Sequence, residues 1–270
     1  MNRIAQTFAE LRKRRQAALI PFVTAGDPDL TTTLKIMRAL AAAGADAIEL
    51  GIPFSDPTAD GPTIQRSYER ALRNPISLTA ILGLIRTFRK QSKVPIILFG
   101  YFNPLFQFGL KRFVRQAAAA GADGVLCVDL PPEESSELKR CTDSAGLDLI
   151  FLLSPMSGPD RLRLVAHQGR GFIYYVSVTG VTGARRSFDK DLRGQVAQVR
   201  KASSLPVGVG FGISTPQQAA WIAGFADAAV VGSALVEKIE RAKTKSAKAE
   251  QAGAFVGQLK RAIEHAAHAS

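Results

Sequence analysis

Three carboxylates lie within twelve residues, Glu49, Asp56 and Asp60, in the stretch AIELGIPFSDPTADG at 47–61. Glu49 interrupts an apolar run of Ala47, Ile48 and Leu50, so it sits on a short strand. A carboxylate among apolar neighbours has a desolvation problem unless it has a partner or a task. Asp56 and Asp60 follow in a segment shaped by Gly51, Pro53, Pro57 and Gly61, residues that end regular structure. One acid on a strand and a second carried back by a loop is a workable layout for paired acid/base chemistry. The competing reading turns Glu49 outward to water and leaves the aspartates as turn residues.

The elements that must position these acids are legible as alternating periods. Eight short apolar runs read as strands: Ala18–Val23, Ala47–Leu50, Pro95–Phe99, Gly124–Val128, Asp148–Leu152, Gly171–Val176, Pro206–Val209 and Ala228–Val231. Amphipathic stretches separate them, among them Leu30–Ala43, Leu78–Gln91, Leu110–Ala120, Pro132–Ala145, Asp160–His167, Leu192–Ala202 and Pro216–Ala223. Crossovers long enough for a helix make the strands parallel. A weak repeat agrees: AAGAD at 42–46 and at 119–123, and AGFAD at 223–227, each closes a helix with glycine and feeds a strand. Eight such units predict an α/β fold, a (β/α)8 TIM barrel, with an extra N-terminal helix and a basic C-terminal helical tail, forming one domain over 1–270. An open doubly wound sheet is the alternative, but no GxGxxG follows the first strand.

Chemistry in such a barrel sits at the C-terminal strand ends. The loops there are TAGDP after strand one, the acidic segment after strand two, GYFNP after strand three and Asp129-Leu130-Pro131 after strand four. Strand six leads into Ser177–Ala184, whose small residues permit opening and closing. Strands seven and eight end in glycine-rich turns that open helices. Their backbone N–H groups, at Gly212, Ile213, Gly232 and Ser233 and at Gly183 of the strand-six loop, are candidates to hold a phosphate; tight turns alone are the other explanation.

Composition removes other chemistries. The formal charge is +12, but the basic residues spread along most helices, with small clusters at 12–15, 185–186 and 241–248, and no aromatic-interleaved stripe or zinc-finger pattern accompanies them. Nucleic-acid binding is not expected. No run reaches about 18 apolar residues, so no membrane span is expected. Cys127 and Cys141 fall in a strand and a helix pattern, which fits a reducing cytoplasm rather than a disulfide framework. His167, His265 and His268 lie in helical or tail segments, so no histidine metal site is expected. No lysine occupies a strand end, which disfavours a Schiff base. Acid/base chemistry on a phosphorylated small molecule remains, with Glu49, Asp60, Asp129 and Tyr174 as its available groups.

The segment IELGIPFSDPTADGPTIQ at 48–65 resembles the signature of the tryptophan synthase alpha chain family. PFVTAGDP at 21–28, YFNP at 101–104, YYVSVTGVTGA at 174–184, VGFGIS at 209–214 and VVGSALV at 230–236 resemble the same family in the same order, over about Ala17 to Glu240. Thr58, where the family more often has a larger apolar residue, and the basic tail depart from it. The resemblance implies retro-aldol cleavage of indole-3-glycerol phosphate to indole and glyceraldehyde 3-phosphate, with no cofactor or metal on this chain. It implies Glu49 as general acid/base, Asp60 as acceptor of the indole N1–H and Tyr174 beside that acid. It places Phe22, Phe99 and Phe211 as walls for the indole, Tyr101 at the substrate, and Thr182 on a lid over Ser177–Ser187 that contacts Asp60 on closure. It further implies a pyridoxal-phosphate beta chain as partner in an α2β2 tetramer, with Asp56 and Pro57 at the interface. A stand-alone lyase releasing free indole is the rival within the family. Another phosphate-binding barrel, such as ribulose-phosphate epimerase or phosphoribosylanthranilate isomerase, and a non-catalytic binding barrel are rivals outside it; the Glu49/Asp60 segment argues against both.

Overall fold

The structure is a computed structural model and describes residues 2–176, 191–210 and 212–268. Eight strands, β1 (Ala18–Thr24), β2 (Ile48–Gly51), β3 (Ile96–Gly100), β4 (Gly124–Cys127), β5 (Asp148–Leu153), β6 (Ile173–Val176), β7 (Val207–Gly210) and β8 (Ala228–Val231), pair in sequence order and close on themselves. Every pairing is parallel, β8 to β1 included. All eight expected strands are present, with ends displaced by up to two residues. Strands of four to seven residues are buried on both faces, as a barrel sheathed in helices requires.

The helices in chain order are α1 (Arg3–Lys13), α2 (Leu30–Ala42), α3 (Pro62–Leu72), α4 (Leu78–Arg89), α5 (Phe102–Phe108), α6 (Leu110–Ala120), α7 (Ser136–Ala145), α8 (Pro159–Gln168), α9 (Leu192–Ala202), α10 (Pro216–Ala223), α11 (Ser233–Arg241) and α12 (Lys245–His268). Their starts carry local signals. Asp29 and Ser77 cap α2 and α4, and Thr215 with Gln218 forms a capping box on α10. Of the three repeat glycines, Gly44 and Gly121 adopt positive φ (93° each) and end their helices as expected. Gly224 does not: its φ is −72°, because α10 closes in a tighter turn with Phe225 and Ala226 donating to the Ile222 carbonyl. The expected helix over Pro132–Ala145 is divided, a single 3-10 turn at Pro132–Glu134 preceding α7.

The core has two parts. One lies between strands and helices; the other fills the barrel, with Ile20, Ile97, Leu126, Ile150 and Val230 in its middle. α1 closes the N-terminal end by burying Ile4, Phe8 and Leu11, with Phe8 against Phe172 at 5.7 Å between ring centres. Cavities lined by the C-terminal strand ends lie at the opposite end. The basic tail is partly built into the fold: α12 packs on α2 and α10, and Lys260, 9% exposed, donates to Asp46 at 2.8 Å. Asp46 also accepts the Leu19 N–H, so the pair ties α12 to the start of the barrel.

Candidate active site

Glu49 lies on β2 with its neighbour in register, Phe22, on β1 and Ile97 on β3. Its side chain points into the barrel: it is 1% exposed, and Oε1 has no hydrogen-bond partner. The outward-facing reading of Glu49 is thereby removed. Burial alone pushes its pKa up to about 8, so the carboxyl is largely neutral at pH 7 and carries a proton it can transfer. Phe22 and Phe99 stand edge to face 5.2 Å apart beside it and wall the cavity on this side.

Asp60 reaches the same cavity from the loop between β2 and α3. The loop is pinned at several points. Tyr101 donates its hydroxyl to Asp60 Oδ2 at 2.7 Å and accepts the Ala59 N–H at 3.0 Å. Gln65, one turn into α3, donates to the Asp60 carbonyl at 2.8 Å. Burial lifts the Asp60 carboxyl to about 6, with the Tyr101 hydrogen bond opposing that rise. The two carboxyls thus differ in environment: one without partners and neutral, the other bonded and mostly ionised near pH 7.

The cavity they share is about 370 Å³. Tyr174 of β6 lines it, and its hydroxyl stands where a Cβ on Gly210 would come within 2.3 Å, so only glycine fits at 210. Burial raises the Tyr174 phenol well above its ordinary pKa, with Glu49 and Asp60 adding to the effect. The far end is formed by Gly212, Ile213 and Ser214 after β7 and by Gly232, Ser233 and Ala234 at the start of α11. α11 has no side-chain cap, so first-turn N–H groups remain for an anion. A Cβ at Gly232 would stand 3.8 Å from Phe22 and one at Gly212 in open space, so any side chain there projects into this end of the cavity. Glu237 also lines the cavity and would repel a phosphate, but Arg241 pairs with it.

A second hollow of about 490 Å³ adjoins the first through Asp60, Phe99 and Tyr174. A cavity of about 810 Å³ lies outside the barrel between α6 and α7. It is lined by exposed helix faces far from the strand ends and gathers no pair of acids, so its size carries no chemistry.

The structure brings together Glu49, Asp60, Tyr174, Phe22, Phe99, Gly212, Ile213, Gly232 and Ser233. Tyr101 is not on the cavity wall; it is 2% exposed and holds Asp60 from behind. Asp129 accepts the Phe102 N–H at 2.8 Å and so starts α5. Asp56 is exposed on the outer rim and Pro57 half-buried beside it. Thr182, Gly183, the rest of Ser177–Ser187 and Phe211 lie outside the described residues. Sequence reasoning missed Ile64, Ser214 and Glu237 on the cavity wall and the bracing by Gln65. Ile64 and Gln65 lie inside the recognised segment 48–65 and Ser214 inside 209–214; Glu237 alone had no signal. Among the described residues no group of three or more metal-binding side chains gathers.

A family model described as "Tryptophan synthase alpha chain" matches residues 8–264. The tryptophan synthase alpha chain of Geobacter sp. (strain M21) is 57% identical over 263 residues, covering 97% of this chain and 98% of that protein. That of Nitrosomonas europaea is 50% identical over 265 residues, covering 98% and 96%. Among solved structures, the tryptophan synthase subunit alpha from Legionella pneumophila str. Paris superposes with a TM-score of 0.92 at 41% identity, covering 98% of this chain and 99% of that one.

Proposed function

Because the chain belongs to the tryptophan synthase alpha chain family, we propose that its two cavity carboxyls divide the family's retro-aldol reaction between them. The protein is a carbon–carbon lyase of tryptophan biosynthesis that cleaves indole-3-glycerol phosphate to indole and glyceraldehyde 3-phosphate. The observation that carries the division of labour is the buried, unpartnered Glu49 facing the same cavity as the hydrogen-bonded Asp60.

In this reading Phe22 and Phe99 hold the indole while the glycines after β7 and β8, with Ser233, take the phosphate. Glu49, protonated at rest, delivers its proton to indole C3. The ring becomes cationic, and ionised Asp60 accepts the N1–H and stabilises that charge. The glycerol hydroxyl next to the ring then gives its proton to the Glu49 carboxylate. Its oxygen becomes the aldehyde oxygen as the bond to C3 breaks, and the bonding pair returns aromaticity to the indole. Glu49 ends protonated, as it began. The protonated ring serves as electron sink, so the sequence draws on no metal, Schiff base or cofactor from this chain.

The pH dependence tests this assignment. Asp60 must be ionised and Glu49 protonated, so kcat/KM should rise through about 6 and fall through about 8. The substrate phosphate also titrates near 6, so the alkaline limb is the diagnostic one. Activity undiminished at pH 9.5 would contradict Glu49 as the initial acid.

The partner is proposed from the same family: a pyridoxal-phosphate beta chain that consumes the indole, in an α2β2 assembly. The exposed Asp56 rim supports a docking face at this end, as does Phe106, 55% exposed on α5 beyond the neighbouring strand. Added beta chain should raise the cleavage rate at least tenfold, about 1.4 kcal/mol of coupling. An enzyme fully active alone and indifferent to beta chain would instead be a lyase that releases free indole. We also read the chain as one domain, since α1 and α12 both pack on the barrel, and as cytoplasmic. No described helix is long and apolar enough to cross a membrane, and Cys127 and Cys141 are both buried and free.

A further inference from the structure

One polar group beside the two acids has no part in the reaction so far. α3 begins at Pro62, directly after Asp60 and Gly61, and its buried side is thin: Ile64, Ser67, Tyr68 and Ala71. Tyr68 is 0% exposed and packs in one cluster with Phe22, Phe99 and Tyr101. Its ring lies 3.4 Å from where a Cβ on Gly51 would stand. Gly51 is two residues beyond Glu49 on β2 and so faces the same way. Tyr68 thus reaches over the layer that holds the Glu49 carboxyl.

Three buried side-chain oxygens or nitrogens lack a hydrogen-bond partner among the described residues. Asp148 Oδ2 is at the start of β5, at the far end of the barrel. The other two are Glu49 Oε1 and the Tyr68 hydroxyl, and both lie at the catalytic end. Ser67, the preceding residue of the same helix, is fully satisfied by the Ile64 carbonyl at 2.7 Å and Thr24 at 2.6 Å. A buried hydroxyl left unpaired costs stability, and phenylalanine would fill the same space without that cost. A donor without an acceptor, within the field of an acid without a donor at the same end of the barrel, can complete that pair when the acid ionises.

We propose that Tyr68 is a positioning residue for Glu49: its hydroxyl donates to the Glu49 carboxylate once that residue has given its proton to the substrate. The inference rests on Glu49 being the proton-transfer group. At 1% exposure the new carboxylate has no water to turn to, and without a donor it would regain its proton from C3 before the hydroxyl of the substrate could supply one. The other nearby phenols are differently engaged. Tyr101 donates to Asp60, and the Tyr174 hydroxyl stands against Gly210 across the cavity. The two cations of α3 face away: Arg66 pairs with Glu240, and Arg70 with Asp27 and Glu240. Tyr68 itself keeps its proton, because burial and the charges of Asp60, Tyr101 and Glu49 raise its pKa well above the ordinary value. It donates a hydrogen bond and transfers nothing.

The test is Tyr68→Phe in the full-length chain, which keeps the ring that the packing uses. Two readouts are taken: kcat and KM against pH, and the titration of the Glu49 carboxyl in the unliganded protein, by infrared or carbon NMR with Glu49→Gln to assign the signal. The expected result is a kcat about tenfold lower with KM within about twofold, as for loss of a hydrogen bond to a charged group. The Glu49 titration and the alkaline limb should both move upward by about one pH unit. A role confined to packing would move neither. Unchanged kcat and unchanged titration, with Glu49→Gln inactive, would overturn the role of Tyr68 and leave Glu49 in place. An active Glu49→Gln would overturn the reading beneath it.

Discussion

Glu49→Gln abolishes cleavage of indole-3-glycerol phosphate while leaving the barrel folded and able to bind glycerol 3-phosphate. The amide fills the volume of the acid but has no proton to give to C3 and no basic oxygen to receive the next one. Loss of a general acid/base group removes about 10²–10⁴ in rate, and here one group serves both transfers, so a fall in kcat of at least about a thousandfold is expected. Retention of more than a few per cent of activity would take Glu49 out of the proton path. Stability offers an independent check. The folded-state pKa of Glu49 is raised from 4.5 to about 8, so whatever the carboxyl contributes is fully present below pH 4.5 and is lost as pH rises through 8. Glutamine has no such dependence. The stability of Glu49→Gln relative to the parent should therefore climb across that window, by up to a few kcal/mol. Equal pH dependence of the two proteins would mean that the carboxyl is solvated after all.

Asp60→Asn lowers kcat by about a hundredfold or more, with little change in the loop that carries it. The asparagine oxygen can still accept the Tyr101 hydroxyl, and the Gln65 bond to the residue 60 carbonyl does not involve the side chain. What disappears is the negative charge opposite the indole nitrogen. Charge stabilisation in a water-poor site is worth about 2.7–4 kcal/mol per group. The enzyme's share of the acid limb near 6 should vanish with it. Near-normal turnover of Asp60→Asn would reduce Asp60 to a loop-forming residue.

Much of this architecture is written locally. Helix caps at Asp29, Ser77 and Thr215, left-handed glycines at 44 and 121, and eight apolar runs of strand length act through residues a few positions apart. Their order alone implies parallel pairing and places Glu49 and the glycine turns at the same end. α3 and α5 were not apparent. α3 is mostly polar, with a buried stripe of only four residues, and α5 is seven residues long with Pro104 inside it. Both are held by what they pack against rather than by their own pattern. Arg70 shows the same limit: from α3 it joins Asp27 and Glu240 across 43 and 170 residues, and nothing in the chain announces that pairing.

The sequence by itself determined the barrel, the family and which acids stand at its catalytic end, because strand period, helix period and a continuous motif are properties of neighbours along the chain. Only the tertiary structure decided how those acids differ. Burial lifts both: Glu49, with no donor to its Oε1, rises to about 8, while Asp60, to which Tyr101 donates from forty-one residues away, rises only to about 6. The cost of a buried charge depends on every group packed around it, and those groups come from β1, β3, β6 and α3, which meet only when the barrel closes.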